Sequence, residues 1–355
     1  MRLLHIINVR WFNAAAWYAL NLAWTQKLSG HDVIIVSIKN SPVIENAKKL
    51  NIETEESDFN SNNPFRLCNA VKCFFSLLKN FNPHIVNCYR GEFFFVPSIR
   101  RLFIRNPAII RFRGDIRIPK KGEINTILHR AGSDLIITSA KFIKDYYIEY
   151  LHIHSDKIRV LYGGIDTCKF RKDVVKRKME REKLHYKDSD FVIAIVGRFD
   201  PVKGHNFLID AIRDLHYYYE KKDIRLIIAG MDSVLKKETI ERQVNKNKIG
   251  NITRFVPFRE DIENIYNAAD LVVIPSIGSE AICRVAMEAM ACGTPVIGAN
   301  TGVIPELIPE SNVFKKADYK AIVKKIINYS DKVRVFSLDE FYEGYMNFVE
   351  PLVNL

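Results

Sequence analysis

The sequence predicts an α/β protein with two domains, each built around a parallel β-sheet. Short apolar segments of strand length alternate with longer segments of helical periodicity along nearly the whole chain. The alternation lapses into a charge-dense run at residues 169–187 and restarts at Phe191. A chain of 355 residues is long enough to bury two separate cores. We therefore expect domains at residues 1–168 and 169–335, with a terminal segment at 336–355.

Periodicity also assigns the individual elements. In the first half we expect strands at 3–9, 33–38, 84–87, 108–112, 135–138 and 158–161, and helices at 13–28, 42–50, 64–79, 91–103, 123–131 and 140–150. In the second half we expect strands at 191–196, 225–229, 252–255, 270–274 and 296–299, and helices at 207–219, 238–246, 262–268, 319–329 and 338–352. Ligands of open parallel sheets bind at the carboxyl ends of the strands. We therefore expect the functional site in a cleft between the two domains.

The composition is typical of a soluble globular chain in a reducing compartment. Hydrophobic residues make up 48% of the sequence and charged residues 26%. No apolar run reaches the roughly 18 residues of a membrane span, and the amino terminus shows no signal-peptide pattern. The six cysteines form no CxxC pair, and the histidines form no metal-like cluster. We expect a cytoplasmic protein with reduced thiols and no bound metal.

The net charge of +12 favours anionic partners such as nucleotides, anionic lipid or an acidic glycan. The alternative is a generally basic proteome. A nucleic-acid binder is disfavoured, because no recognised binding module is present and the aromatic residues fall at core spacing.

The segment after the strand at 191–196 carries two cations on one short loop. It reads Gly-Arg-Phe-Asp-Pro-Val-Lys-Gly, with the cations at Arg198 and Lys203. A guanidinium grips two phosphate oxygens and an ammonium adds a point charge, so the pair suits a diphosphate. The alternative is two solvated loop cations. Neither a P-loop nor a glycine-rich turn after the first strand is present, which argues against the common nucleotide-binding motifs.

A second loop follows the strand at 270–274 and leads into a helix of small residues. It carries Glu280, and Glu288 follows eight positions later within the helix. Continuous helix would separate the two carboxylates by about 12 Å. The free amides of residues 282–285 at the helix start form an anion site. Glu288 is flanked by apolar residues and needs a partner, either ligand hydroxyls or a core ion pair.

Taken together, these motifs resemble those of the retaining glycosyltransferases of family 4, which have the GT-B fold. The matching pieces are Gly-Arg-Phe at 197–199 with Lys-Gly at 203–204, Pro-Ser at 275–276, and the two glutamates at 280 and 288 followed by Ala-Met-Ala-Cys-Gly-Thr-Pro-Val at 289–296. Weaker matches extend the resemblance over nearly the whole chain. The resemblance implies two Rossmann-like domains that face each other across a cleft. It also implies that the final helix crosses back onto the first domain.

The resemblance further implies a role for each residue of these motifs. Arg198 and Lys203 would hold the pyrophosphate of a nucleotide-diphosphate sugar, and Glu288 would hold its ribose hydroxyls. Glu280 would contact the donor sugar, and Arg198, Lys203 and Glu280 would form the catalytic set. The backbone amides that would surround the donor belong to Ala281, Ile282, Cys283 and Arg284. The first domain would bind a glycan or glycolipid acceptor, and transfer would proceed with retention and without a metal or other cofactor.

The sequence departs from the family pattern on the acceptor side. Asn13 and Ala14 occupy the place of the glycine-rich loop after the first strand, and Arg113 stands where a histidine is usual, two residues before Asp115. We take Asn13, Ala14, Arg113 and Asp115 as the acceptor-binding candidates. Arg113 favours an anionic donor or acceptor. Cys283 stands where a glycine is usual in the donor loop.

Residues 91–105 interleave aromatic side chains with arginines, a pattern compatible with peripheral contact to an anionic membrane. The alternative is an ordinary helix with a buried apolar side and solvated arginines. Two alternatives for the function also stay open. One is a catalytically silent nucleotide-sugar-binding GT-B protein, and the other is a GT-B epimerase or phosphorylase.

Overall fold

The computed structural model describes residues 1–59 and 63–353 of the chain. The chain divides into two compact units. One comprises Met1–Gly164 together with Ser337–Leu355, and the other comprises Ile165–Phe336. Each unit is an α/β layer structure, which is the fold class that the alternation of elements predicts.

The first unit is built on a sheet of seven parallel strands. The strands are β1 (Arg2–Ile6), β2 (Asp32–Ser37), β3 (Glu53–Glu56), β4 (Ile85–Cys88), β5 (Ala108–Arg113), β6 (Leu135–Thr138) and β7 (Ile158–Val160), in the order β3-β2-β1-β4-β5-β6-β7. The helices are α1 (Ala14–Leu28), α2 (Pro42–Lys49), α3 (Pro64–Asn80), α4 (Phe95–Arg101), α5 (Glu123–Arg130) and α6 (Lys141–Leu151). All predicted strands and helices of this half are present. Residues 91–94, which we expected to be helical, precede α4.

Strand β3 is the element of this unit that the sequence did not predict. Its residues, Glu-Thr-Glu-Glu, lack the apolar side chains that mark a buried strand. The strand lies at the edge of the sheet and pairs with β2 alone, so half of its backbone and most of its side chains meet solvent.

The second unit has a sheet of six parallel strands. The strands are β8 (Phe191–Val196), β9 (Ile224–Gly230), β10 (Thr253–Pro257), β11 (Leu271–Ile274), β12 (Val296–Ala299) and β13 (Val313–Phe314), in the order β10-β9-β8-β11-β12-β13. The helices are α7 (Val174–Lys183), α8 (His205–Tyr217), α9 (Lys237–Lys246), α10 (Glu263–Ala268), α11 (Arg284–Ala291), α12 (Ile304–Leu307) and α13 (Tyr319–Ile327). The two-residue strand β13 was not predicted.

The charge-dense run at 169–187 does not lie between the units, because it contains α7 of the second unit. Arg181 of α7 is only 1% exposed. Its guanidinium pairs with Asp270 at 2.6 Å and donates to the carbonyl oxygens of Ala268, Lys187, Asp188 and Asp190. The run thus packs into the unit in part through the paired guanidinium of Arg181, a contact that the periodicity of apolar residues does not detect.

The last helix, α14 (Leu338–Val353), belongs to the first unit and packs on α1. The hydroxyl of Tyr345, which is fully buried, donates to Asn87 Oδ1 at 2.9 Å. Asn87 in turn lies 3.3 Å from Nε2 of the buried His5. These hydrogen bonds connect α14 to two central strands through side chains that have no access to water, so each bond matters for stability. Residues 354 and 355 of the predicted terminal segment lie outside the described residues.

Replacement of Tyr345 by phenylalanine should lower the free energy of unfolding of the first unit by about 1–3 kcal/mol, because Asn87 loses a buried partner. The matched control is Tyr342→Phe, which removes a bond of 2.8 Å to His31 at a half-buried position of the same helix. Urea denaturation followed by circular dichroism measures both changes. A loss for Tyr345→Phe no larger than that for Tyr342→Phe would contradict this account of α14.

Candidate functional site

The loop after β8 is fixed by a side-chain cap in its middle and by a close backbone contact at its end. Its middle forms a short 3-10 turn, Pro201–Lys203, which the side chain of Asp200 caps by accepting from the Val202 amide at 3.0 Å. Gly204 ends the turn with φ of +71°, and a Cβ at this position would lie 2.1 Å from the carbonyl oxygen of Pro275. A glycine is therefore required where this loop passes the end of β11.

The loops after β8 and β11 are joined by a backbone hydrogen bond and an ion pair. The Ile277 amide donates to the Val202 carbonyl at 2.8 Å. Nζ of Lys203 lies 2.5 Å from Oε1 of Glu280. The hydroxyl of Ser276 donates to the same carboxylate oxygen at 2.7 Å. The structure thus brings together Lys203 and Glu280, which the sequence placed in one site from separate motifs.

Glu280 is also held through its backbone. Its carbonyl oxygen accepts from the Val303 amide at 2.9 Å, and a Cβ at Gly302 would lie 1.9 Å from that oxygen. The carboxylate residue itself is only 5% exposed. Side-chain and main-chain contacts therefore fix Glu280 in one position at the edge of the loop.

Arg198 lies on the same loop as Lys203 but points elsewhere. Its guanidinium is 3.8 Å from the carboxylate of Asp200 and 3.4 Å from the hydroxyl of Ser233, and its side chain is 52% exposed. It makes no hydrogen bond with the described residues of the Glu280–Glu288 segment. The side chain is long and solvated, so it is free to meet a ligand.

Helix α11 begins at Arg284, four positions after Glu280. Cys283 precedes the helix with φ of +51°, the left-handed conformation that glycine adopts most easily. A glycine, which is usual at this position in the family, adopts this backbone conformation without the strain that a cysteine side chain adds. Burial raises the pKa of the Cys283 thiol, and the adjacent Glu280 carboxylate raises it further. The thiol therefore stays protonated at neutral pH and is a poor nucleophile. The amides of Ala281, Ile282 and Cys283 lie in the segment between Glu280 and the helix, and Arg284 is the first residue of the helix.

Glu288 is buried in α11, at 2% exposure, and has partners in the chain. Oε1 lies 2.7 Å from Nε of Arg284, and Oε2 accepts from the hydroxyl of Tyr266 at 2.8 Å. Burial raises the pKa of this carboxyl, and the Arg284 charge opposes that shift. Of the two alternatives left open by the sequence, the structure shows an ion pair within the chain. Each carboxylate oxygen has two lone pairs, so contact with ribose hydroxyls stays a prediction.

The acceptor candidates lie in the first unit, and two of the four line one cavity of about 440 Å³. Arg113 and Asp115 contribute to its wall, as does Ala15. Asn13 caps α1 by accepting from the Ala16 amide at 3.0 Å, and Ala14 is exposed at the start of the helix. Arg111, which was not among the candidates predicted from the sequence, also lines this cavity and is 2% exposed. A charge at an inward position of an otherwise apolar strand was the available signal.

Within residues 1–59 and 63–353, no three side chains of His, Cys, Asp or Glu are grouped so as to hold a metal ion. No helix in the same ranges is long and apolar enough to cross a membrane.

Comparison with protein families gives two matches that together span most of the chain. The model described as "Glycosyltransferase Family 4" matches residues 15–169, and that described as "Glycosyl transferases group 1" matches residues 176–332. Among curated proteins, a D-inositol 3-phosphate glycosyltransferase of Segniliparus rotundus is 29% identical over 201 residues, which are 56% of this chain and 44% of that protein. The alignment thus spans less than half the length of that relative.

Solved structures confirm the fold. Anabaena HepE in complex with UDP superposes with a TM-score of 0.84 at 18% identity over 100% of both chains. WaaG, described as a glycosyltransferase involved in lipopolysaccharide biosynthesis, superposes with a TM-score of 0.63 at 17% identity over 99% of this chain and 95% of that one. The expected GT-B class, with two Rossmann-like domains, is confirmed.

Replacement of Gly302 by alanine should lower the free energy of unfolding of the second unit by at least about 1–3 kcal/mol. The alanine would have to adopt a left-handed backbone, and its Cβ would point at the Glu280 carbonyl oxygen. The control is Gly278→Ala in the loop that carries Glu280, where an added Cβ meets no atom within 4 Å. It should change the stability by less than about 0.5 kcal/mol. Urea denaturation measures both, and equal losses would show that the loop tolerates displacement of Glu280.

Proposed function

The chain belongs to the family 4 glycosyltransferases, and we propose that it is a retaining enzyme that transfers a sugar from a nucleotide-diphosphate sugar to a glycan or glycolipid. The observation that carries the proposal is the junction of the loops after β8 and β11. There, the ammonium of Lys203 and the carboxylate of Glu280 are in contact next to the start of α11. A cation for phosphate and an acceptor for sugar hydroxyls thus lie side by side.

In the proposed donor complex, Lys203 and Arg198 bind the pyrophosphate. Lys203 lies in the short turn that the Asp200 side chain caps. The Arg198 side chain is largely solvated, and in this proposal it moves to bind the ligand. The amides of Ala281, Ile282, Cys283 and Arg284 and the positive end of α11 add donors on the other side of the diphosphate. Anabaena HepE, which has a similar fold, was crystallised with UDP and with UDP-glucose, which supports a nucleotide-sugar donor.

Glu288 binds the ribose hydroxyls in this proposal, and Glu280 binds the donor sugar. The Arg284 side chain is 37% exposed and holds one oxygen of Glu288, so it can share that carboxylate with a ribose hydroxyl.

Catalysis rests on the negative charge that develops on the leaving diphosphate. Arg198, Lys203 and the helix amides stabilise that charge more strongly in the transition state than in the bound donor. The acceptor hydroxyl attacks the anomeric carbon on the face from which the diphosphate leaves, and a leaving phosphate oxygen takes its proton. The sugar therefore keeps its configuration. No enzyme nucleophile and no metal take part in the proposed reaction, and the Cys283 thiol is protonated.

We place the acceptor in the first unit, with Asn13, Ala14, Arg113 and Asp115 as its candidate contacts. Arg113 and Asp115 line the cavity described above. The product would be a cell-surface polysaccharide or lipopolysaccharide, a proposal that the fold similarity to WaaG supports. The reaction would take place in the cytoplasm, at the inner face of the membrane.

A peripheral membrane contact through the end of α4 is part of this proposal. The first part of the segment 91–105 is core, with Phe93 and Phe94 buried. Its last part exposes apolar side chains between arginines: Ile99 47%, Leu102 41%, Phe103 83% and Ile104 50%. Such a mixture of exposed apolar and basic groups suits the headgroup region of an anionic bilayer.

Calorimetric titration with UDP-, GDP-, ADP- and CMP-sugars should identify one donor that binds. Arg198→Ala and Glu288→Gln should each weaken its binding by about 10-fold or more, because charge-assisted bonds to phosphate and ribose are lost. The control is Arg242→Ala, which removes an exposed arginine of α9 in the same unit and should leave the affinity unchanged.

Donor binding of wild-type strength in both Arg198→Ala and Glu288→Gln would refute the assigned site. NMR of the first-formed product tests the stereochemistry, and a product anomer opposite to that of the donor would refute retention. Binding without any transfer or hydrolysis would instead indicate a silent nucleotide-sugar-binding protein.

Flotation with vesicles tests the membrane contact. The full chain should float with vesicles rich in phosphatidylglycerol, and Phe103→Ser should reduce the bound fraction several-fold, because it removes a large exposed apolar side chain. Tyr218→Ser, which removes a 77% exposed aromatic ring from the second unit, is the control. Equal flotation of the two variants and the wild type would exclude this segment as the contact.

A further inference from the structure

The cavity in the first unit carries positive charge that the chain does not balance. It lies at the carboxyl ends of β4 and β5, where ligands of parallel sheets bind, and its volume of about 440 Å³ is within the range of small-molecule sites. Its charged lining consists of five cations and two carboxylates: Arg90, Arg111, Arg113, Arg117 and Lys120, with Glu92 and Asp115.

Both carboxylates are already engaged by neighbouring arginines. Arg90 donates to Glu92 at 2.6 and 3.2 Å, and Arg117 forms a bidentate ion pair with Asp115. These are local contacts between residues two positions apart. Among the described residues, no carboxylate forms an ion pair with Arg111, Arg113 or Lys120. The cavity therefore holds a net positive charge on its inner wall.

Arg111 is the most unusual of these residues, because its guanidinium is buried without a counter-ion. Nη1 donates to the carbonyl oxygens of Cys88 and Phe112 at 3.1 and 2.7 Å, and the group stacks on the Phe94 ring at 5.1 Å. Nε is buried without a hydrogen-bond partner, and Nη2 makes no hydrogen bond to a described residue. Burial lowers the pKa of Arg111, and the nearby charge of Arg113 also lowers it, whereas Tyr147, Cys88 and Glu92 act in the opposite direction.

A second buried arginine in the same chain shows what full compensation involves. Arg181, in the second unit, is 1% exposed, and it has a carboxylate partner and four backbone carbonyl acceptors. Arg111 is equally buried but has two carbonyl acceptors and no carboxylate partner. The difference leaves Arg111 with donors that point to no protein acceptor.

Arg113 adds a second donor set on the same face of the sheet. Residues two apart in a strand face the same way, so the ends of Arg111 and Arg113 share one side of β5. Nη2 of Arg113 donates to the Arg117 carbonyl at 2.7 Å, whereas its Nε is buried without a partner. Like charges on adjacent inward positions repel each other, and an oxyanion between them would remove that repulsion.

The remaining wall is neutral. Burial, together with the neighbouring Arg111, lowers the pKa of His129 to about 3, so this histidine carries no charge at neutral pH. Its Nδ1 lies 2.8 Å from the Asn125 carbonyl oxygen and therefore carries the ring proton, which leaves Nε2 as an acceptor. The cavity thus offers cationic donors for an oxyanion and a neutral acceptor for a hydroxyl group.

We propose that this cavity binds an acidic acceptor, whose carboxylate or phosphate group docks on Arg111 and Arg113 while its sugar or polyol hydroxyls face the neutral wall. The proposal rests on the proposed transferase function and specifies its acceptor class. Arg111 binds the oxyanion at the buried wall of the cavity, and Arg113 binds it at the half-buried end of β5. The two arginines can each present two parallel N–H donors to one oxyanion.

Calorimetry on the full chain with glucose 6-phosphate, glucuronate and glucose tests this directly. Wild type should bind at least one of the two acids about 10-fold or more tightly than glucose, because charge-assisted bonds to guanidinium distinguish them. Arg113→Gln and Arg111→Gln should abolish this preference. Arg66→Gln, which removes an exposed arginine of α3 in the same unit, should retain it. Because Arg111 is buried, circular dichroism checks the fold of that variant, and the half-buried Arg113 provides a test that does not depend on it.

Equal affinity for glucose and both acids, or an acid preference that survives in Arg113→Gln, would overturn the proposal. The same holds if Lys203→Met, rather than Arg113→Gln, abolishes acid binding, because the acids would then occupy the phosphate site of the second unit. Stronger binding of glucose 6-phosphate or of glucuronate tells which oxyanion the natural acceptor carries.

Nucleotide-sugar binding is measured on the same preparations. Donor binding without acid preference refutes this inference alone, whereas acid preference without any donor binding refutes the proposed transferase function.

Discussion

The ion pair between Lys203 and Glu280 is the contact on which the account of the second unit depends. It connects two loops that leave the sheet at neighbouring strands, β8 and β11, and that are far apart in sequence. Because the two side chains are only 21% and 7% exposed, the pair lies largely out of water and each charge needs the other. A diphosphate that binds Lys203 would have to compete with Glu280 or share the ammonium with it. Such a ligand would thereby release the carboxylate for hydroxyl groups.

Each unit contains a buried arginine, and the two guanidinium groups differ in their partners. In α7 the guanidinium of Arg181 forms an ion pair with Asp270 and hydrogen bonds with backbone carbonyls, so its role is structural. In β5 the guanidinium of Arg111 is buried to the same degree but lacks a carboxylate. The two cases show that burial alone does not mark a binding site. The informative feature is a buried donor for which the chain provides no acceptor.

The order and type of the elements could be predicted from the sequence because apolar periodicity is a local signal. Strands such as β8 and β11 are apolar throughout, as strands covered on both faces must be. Apolar periodicity did not predict the elements that contain few apolar side chains. The edge strand β3 is Glu-Thr-Glu-Glu, and α7 packs through arginines rather than leucines.

The candidate site was predictable only to the level of which loops carry it. The motifs placed Lys203 and Glu280 in one site, and the structure puts them in contact. Side-chain direction is decided by the folded surroundings, so the pairing of Glu288 with Arg284 and Tyr266 and the outward direction of Arg198 could not be read from local pattern. By contrast, Cys283 in place of a glycine did mark a real feature, because the position has a left-handed backbone.

The most direct test of the central claim is a double-mutant cycle on the affinity for the nucleoside diphosphate of the accepted donor, with Lys203→Met, Glu280→Gln and the double variant. If Lys203 serves the phosphate and Glu280 restrains it, Lys203→Met weakens binding by about 10-fold or more, since it removes a charge-assisted bond. Glu280→Gln strengthens binding while Lys203 is present, and has no effect once Lys203 is gone. Wild-type affinity in Lys203→Met, or effects of the two substitutions that simply add, would contradict the account.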